Sequence, residues 1–274
     1  MANNSNERTA SPALVMLMKV TSAVLESHQL VAKIVAAAPL LFLAPVAAEA
    51  VQHAIEWSIG LFSLSPSEAH STARDGRRVL AGLVKVSTLA VTGILVARYW
   101  AHRRDLMRAI RLDVRERRFL FGGVVLTAAV LVFLIASPAL LSSTELSDKQ
   151  RRLGPALLVV VAAALLQRRS VWALAGLLGD SAMTTERAAA LSSGRPARFT
   201  MLALVAAIAP TMALHYALNL NARGLGVAPL ALVLAFDSLL VGAMAMIIGN
   251  IIWITYRDAQ TMVGAPLAPV DSQV

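Results

Sequence analysis

Cysteine is absent from this 274-residue sequence, and only 15% of its residues are charged. The first absence excludes disulfides, thiolate metal sites and a cysteine nucleophile, and leaves the redox compartment open. The second sets the chain apart from soluble domains, in which roughly 25% of residues are charged. Catalytic signatures are missing too. There is no phosphate-cradling P-loop, no dinucleotide glycine pattern, no HExxH and no GxSxG elbow. No long hydrophilic segment is present to form a soluble catalytic domain, so the expectation is a non-enzyme without a cofactor.

What the sequence has in quantity is apolar: 57% of residues, gathered into long runs nearly free of charge. Such runs are too long for core strands and too apolar for half-exposed helices, which makes them membrane spans. Six are read: Ile34 to about Ala54, Val79–Ala97, Phe119–Leu141, Leu153–Leu166, Phe199–Leu220 and Ala228–Thr255. The fourth is short, being interrupted by Gln167-Arg168-Arg169-Ser170, and Val171–Leu178 is expected as an interfacial continuation or as part of a bent helix that ends near Gly179. The expected fold class is all-α and polytopic. Residues 1–33 form an N-terminal cytoplasmic or interfacial part, 34–256 a six-helix transmembrane domain and 257–274 a short cytoplasmic tail.

The net charge of +9 does not indicate nucleic acid, because the arginines sit in short segments between apolar runs instead of on one soluble face. Their distribution sets orientation instead. Arg98–Arg118 carries eight arginines and Arg168–Arg198 five, while the alternate loops carry three, three and one basic residues. Short basic loops stay cytoplasmic, so both termini are expected inside a bacterial cytoplasmic membrane. Ala48-Glu49-Ala50 has the look of a signal-peptidase site, but about 33 residues precede its apolar run, more than a signal peptide carries.

Two amphipathic helices are expected outside the spans. Ser11-Pro12 is a capped helix start, followed by a polar stripe of Lys19, Ser22, Glu26, Gln29 and Lys33. After span two, Arg104, Arg108, Arg111, Arg115 and Arg118 fall on one helical face, positioned for anionic phospholipid headgroups or an acidic partner subunit. Gly122, Gly123, Gly176, Gly179, Gly242 and Gly249 suit close helix packing in lipid.

Ionisable groups inside spans are costly and therefore mark candidate function. Glu49, His53 and Glu56 are spaced four and three apart, on one face at the outer end of span one. Lys85 lies about two turns into span two from the outside, His215 and Asn219 lie near the outer end of span five, and Asp237 lies nine residues into span six, near mid-membrane. In a compact bundle these six residues could line one polar cavity, with Lys85 paired to Asp237. Carboxylates and imidazoles can relay protons or hold a divalent cation, but the same groups also mark where a span emerges into water beside Trp57. No metal site is assigned on spacing alone.

The stretch Trp172–Arg198, WALAGLLGDSAMTTERAAALSSGRPAR, leads from a short apolar segment through Gly179-Asp180 to a helix capped near Thr184 and then Ser192-Ser193-Gly194-Arg195. It resembles the six-span membrane domain that accompanies some bacterial glycerophosphodiester phosphodiesterases, and the stand-alone relatives of that domain. The resemblance implies cytoplasmic termini and an amphipathic helix before span one, with Gly179, Asp180 and Arg195 as turn and anchor of the loop. It transfers no catalytic residue, because the phosphodiesterase barrel is not in this sequence.

Two function classes follow. One is an accessory or assembly subunit of a larger membrane complex. The other is a transporter, channel or lipid-handling protein that uses the outer polar cavity. No inverted repeat and no span broken at mid-membrane is visible, which tips the expectation to the accessory subunit.

Overall fold

The computed structural model describes residues 11–63, 75–140 and 147–264, and every regular element among them is a helix. In chain order these are α1 (Pro12–Ala37), α2 (Pro39–Ser58), α3 (Gly76–Ala101), α4 (Leu106–Ile110), α5 (Val114–Leu140), α6 (Asp148–Leu177), α7 (Thr185–Leu191), α8 (Gly194–Asn221) and α9 (Val227–Met262). The helix starts follow local chemistry. The Ser11 hydroxyl accepts from the Leu14 amide at 3.3 Å with Pro12 in the first turn. Asp75, Ser147 and Thr184 cap α3, α6 and α7 in the same way, and Ser147 forms a full capping box with Gln150.

Helix α9 is the centre of the bundle. Its 36 residues span about 54 Å at 1.5 Å per residue, and α1, α2, α3 and α8 all pack against it. Two glycines allow the closest approaches. A Cβ at Gly249 would lie 2.5 Å from the Gly93 carbonyl oxygen and from Val96, and one at Gly242 would lie 2.5 Å from Val46. Without those hydrogens-only positions, α3 and α2 could not lie flush on α9. Gly176 serves the α5–α6 pair similarly, facing Phe119 at 3.1 Å, whereas Gly122 and Gly123 meet nothing within 4 Å and play no such part.

Among the described residues, four helices are long and apolar enough to cross a membrane: Gly76–Ala101, Val114–Leu134, Gly194–Asn221 and Val227–Met262. The count is five if α1 and α2 are taken as one bent span. The first of the six expected spans needs correction, and the fourth takes the longer of its two expected courses. The first is no straight rod, because α1 and α2 meet at 100°. Pro39 lacks an amide hydrogen and pushes Ala38 out of helical geometry, to φ −143° and ψ 63°. The break thus falls after Ala37 instead of before Ile34. The fourth lies within α6, a continuous 30-residue helix that runs through Arg168 and Arg169 to Leu177. Its longer apolar stretch, Leu153–Leu166, reaches about 21 Å before Arg168-Arg169 interrupt it, short of the roughly 30 Å hydrocarbon core. At the other end, α9 continues to Met262, beyond the expected limit at residue 256.

The second expected amphipathic helix is not one helix. α3 ends at Ala101, α4 has five residues, and residues 111–113 are non-helical before α5 begins. Arg104, Arg108, Arg111, Arg115 and Arg118 are all exposed but share no helical face. Arg104 lies over the Trp100 ring, and Arg115 lies over Phe119 and Trp172. The chain breaks here because Arg98, 1% exposed, draws the segment around itself. Its guanidinium donates to the carbonyls of Ala109, Arg111 and Leu177 and pairs with Glu116 at 2.7 Å. An arginine counted toward the basic loop is thus the buried post on which that loop is wound.

Large apolar side chains remain exposed along α5 and α6, among them Phe121 at 71% and Leu165 at 79%. An apolar surface of that extent is suited to lipid. We expect Gly249→Ala to destabilise the protein by roughly 1–3 kcal/mol, since the added methyl meets backbone that cannot yield. Gly122→Ala should be neutral or slightly stabilising. Thermal unfolding in mild detergent separates the two, and equal melting temperatures would contradict the α3–α9 contact.

Candidate functional site

The turn of α2 that carries Glu49, Gln52, His53 and Glu56 buries all four, each 7% exposed or less. Their three- and four-residue spacing places them on one face, and α9 covers that face. Asp237, ten residues into α9 and about 15 Å from its start, is fully buried opposite them. α8 adds His215 and Asn219, and α3 adds Arg78 and Lys85.

Asp237 is the hub. Its carboxylate lies 2.7 Å from His215 Nδ1 and 3.0 Å from His53 Nε2, and accepts from Asn219 Nδ2 at 2.7 Å. The other ring nitrogen of His53 lies 3.1 Å from Glu56 Oε2. Glu56 Oε1 accepts from Arg78 Nε at 2.8 Å and from Gln52 Nε2 at 2.9 Å. A continuous chain of polar contacts therefore runs from Arg78 through Glu56, His53 and Asp237 to His215. Every residue of the sequence-derived set Glu49, His53, Glu56, Lys85, His215 and Asp237 lies in this one cluster.

One expected pairing is wrong. Lys85 does not meet Asp237: its Nζ lies 3.0 Å from Glu49 Oε2. Asp237 is already surrounded by two imidazoles and an amide, whereas Glu49 is the carboxylate without them. Even so, Glu49 stays poorly served. His53 Nε2 is 3.2 Å from its Oε1, yet neither carboxylate oxygen makes a hydrogen bond of acceptable angle, and Gln52 Oε1 is likewise unpartnered. Glu49 is therefore ion-paired with Lys85 but not well hydrogen-bonded, because hydrogen-bond strength falls steeply with misalignment.

These groups line a cavity of about 210 Å³ bounded by Glu49, Gln52, Glu56, Lys85, His215 and Asn219, under a lid of Leu61 and Phe62. Its exposed members, Tyr216, Leu220 and Arg223, mark the mouth. The carboxylates of Glu49, Glu56 and Asp237 outnumber the touching cations Arg78 and Lys85 by one, so the site carries a net negative charge unless an imidazole takes a proton. A buried site with an uncompensated negative charge attracts a proton or a cation. Sequence reasoning missed Gln52 and Arg78. Gln52 shares the Glu49–Glu56 face and was readable from spacing, whereas Arg78 reaches the site only through the placement of α3.

A second polar layer closes the opposite end. The Tyr256 hydroxyl donates to Asp180 at 2.6 Å, and Gln260 joins Asp180 to Arg187. Asp180 thus ties α7 and the preceding turn to α9, and Gly179, at φ +80°, makes that turn possible. Arg195 is exposed and takes no part in this network. Beside the layer, burial and the Arg98 guanidinium hold the His102 imidazole below its ordinary pKa, so it is neutral at physiological pH. Between the two ends Asn250, fully buried, accepts from Trp100 at 2.7 Å and donates to the Ser27 carbonyl at 2.8 Å. None of these contacts opens on the cavity.

Asp237→Ala should lower stability by roughly 3–5 kcal/mol, because it strands two imidazoles and an amide without their acceptor. Tyr216→Phe, at the exposed mouth, should leave the melting temperature unchanged, and the same detergent melts compare them. No protein-family model, curated protein or solved structure matches this chain.

Proposed function

We propose that the protein is a non-enzymatic, solute-handling membrane protein of the transporter or channel class, which admits a cation or protons into the Asp237 cluster from one membrane face. A single observation carries this reading. Glu49, Glu56, His215, Lys85 and Arg78 line one cavity, His53 and Asp237 lie directly behind them, and the Glu49 carboxylate is buried without a hydrogen bond. A merely structural polar cluster would be dry and mutually satisfied, because a half-satisfied network is worse than an apolar core. This weighs against the accessory-subunit expectation, which required satisfied groups.

In this reading α2, α3, α5, α8 and α9 cross, and α6 makes a sixth crossing in which Arg168 and Arg169 reach from the end of its short apolar stretch to the interface. α1 lies along the inner surface, in keeping with its 100° angle to α2 and its exposed Leu14, Leu17 and Met18. Arg104, Arg108, Arg111, Arg115 and Arg118 then face the cytoplasm and anionic headgroups, with both termini inside a bacterial cytoplasmic membrane. The cavity opens outward. Topology of this kind is also what the resemblance to phosphodiesterase-associated membrane domains implies.

Because the chain has no cysteine, single-cysteine labelling has no background. Tyr216→Cys should react with a membrane-impermeant maleimide added to intact cells, and Asp105→Cys only after lysis. The reverse pattern would overturn the orientation. In proteoliposomes carrying a pH-sensitive dye, an imposed potential should drive cation or proton movement that Glu49→Gln abolishes. Equal flux through native protein, Glu49→Gln and protein-free vesicles would defeat the transport reading.

A further inference from the structure

The donor set of the cavity is more specific than a generic cation site. We propose that Glu49, His215 and Asp237, with His53 as fourth donor, bind a divalent transition-metal ion of the zinc type. The inference rests on the cavity being the functional site and names what occupies it. One ligand atom from each of Glu49, His215 and Asp237 lies within 4.8 Å of the others. His53 Nε2 lies 3.2 Å from Glu49 and 3.0 Å from Asp237. A tetrahedral ion with bonds of about 2.1 Å needs donors about 3.4 Å apart, so the side chains must turn from their present mutual contacts toward a common point to complete the shell.

Three further features separate this cluster from a chance gathering of acidic groups. Glu49 is 0% exposed with both oxygens lacking a hydrogen bond, so a first ligand is aimed into the cavity without a partner of good geometry. His53 presents one nitrogen to the site while Glu56 holds the other at 3.1 Å, and Arg78 and Gln52 in turn hold Glu56. Such a carboxylate–imidazole relay fixes the tautomer and orientation of metal-binding histidines. Asn219 does the same for Asp237 at 2.7 Å.

The donors select the metal. Two imidazoles and two carboxylates in a small, low-coordination site suit zinc, cobalt or nickel. Calcium and magnesium prefer six or more oxygens and are disfavoured. Lys85 gives the site a competitor, for its ammonium sits 3.0 Å from Glu49 where the ion would draw that carboxylate. Metal binding moves Glu49 away from Lys85, and Lys85 takes the place of the ion when it leaves.

The test uses the full chain purified in mild detergent, stripped with chelator, then titrated with Zn²⁺ by calorimetry and with Co²⁺ by visible absorption. One ion per chain should bind, with a cobalt band that owes nothing to thiolate because the chain has no cysteine. Mg²⁺ should give no signal. Glu56→Gln, which touches no ion, should weaken Zn²⁺ binding by roughly 10–100-fold through His53. His215→Ala and Asp237→Asn should remove it. Lys85→Gln should tighten it, a result that a purely structural ion pair would not produce. His215 is only half-buried, so its variant remains informative if Asp237→Asn fails to fold. Absence of a cobalt band, or Zn²⁺ binding that survives in folded His215→Ala, overturns the proposal. Flux without metal binding would sink this inference and spare the transport reading, whereas binding without flux would do the opposite.

Discussion

A carboxylate in a membrane helix must be compensated, and the arrangement of half of this protein follows from how Asp237 is compensated. It lies about 15 Å into α9 and is fully buried. Two helices therefore bring it partners: α2 supplies His53, and α8 supplies His215 and Asn219, while α3 supplies the Lys85 that balances neighbouring Glu49. Each partner is itself held by a second group, so the register of these helices against α9 is fixed by a few short polar contacts. The glycines of α9 let the backbones come close enough for those contacts to form.

At the far end the logic is the same with the sign reversed. Arg98 is a buried cation, and it is satisfied chiefly by backbone carbonyls, with Glu116 as its counter-ion. A guanidinium offers five donors in a fixed fork, which explains how one side chain can gather α4, the end of α6 and the start of α5. The two ends differ in what they leave over. Arg98 ends fully partnered, whereas the Asp237 cluster retains an underserved Glu49 and a cavity. That asymmetry is why function is assigned to one end and architecture to the other.

Much of the site was legible before any tertiary structure. Glu49, His53 and Glu56 fall on one face by spacing, and Lys85, His215 and Asp237 stand out because ionisable groups in apolar runs are expensive. Their pairing was not legible. Lys85 was matched to Asp237 by depth, yet depth says nothing of azimuth, and a helix can turn the same depth toward any neighbour. Arg98 was misread for a related reason: a residue at the edge of a basic loop has the same sequence signature whether it faces solvent or the core. The bend at Ala38 did have a signal in Pro39, masked by the unbroken hydrophobicity around it.

By itself the sequence determined what depends on short-range physics. Long uncharged runs must be helices in lipid, hydroxyl and carboxylate caps start helices where they stand, and a buried charge is marked by its apolar neighbours. Only the tertiary structure decided what depends on packing between distant segments. His53 meets Asp237 across 184 residues, Glu49 takes Lys85, and Arg98 turns inward. Those outcomes are set by where glycines let helices touch and by which buried group most lacks a partner, and neither quantity exists until the helices are side by side.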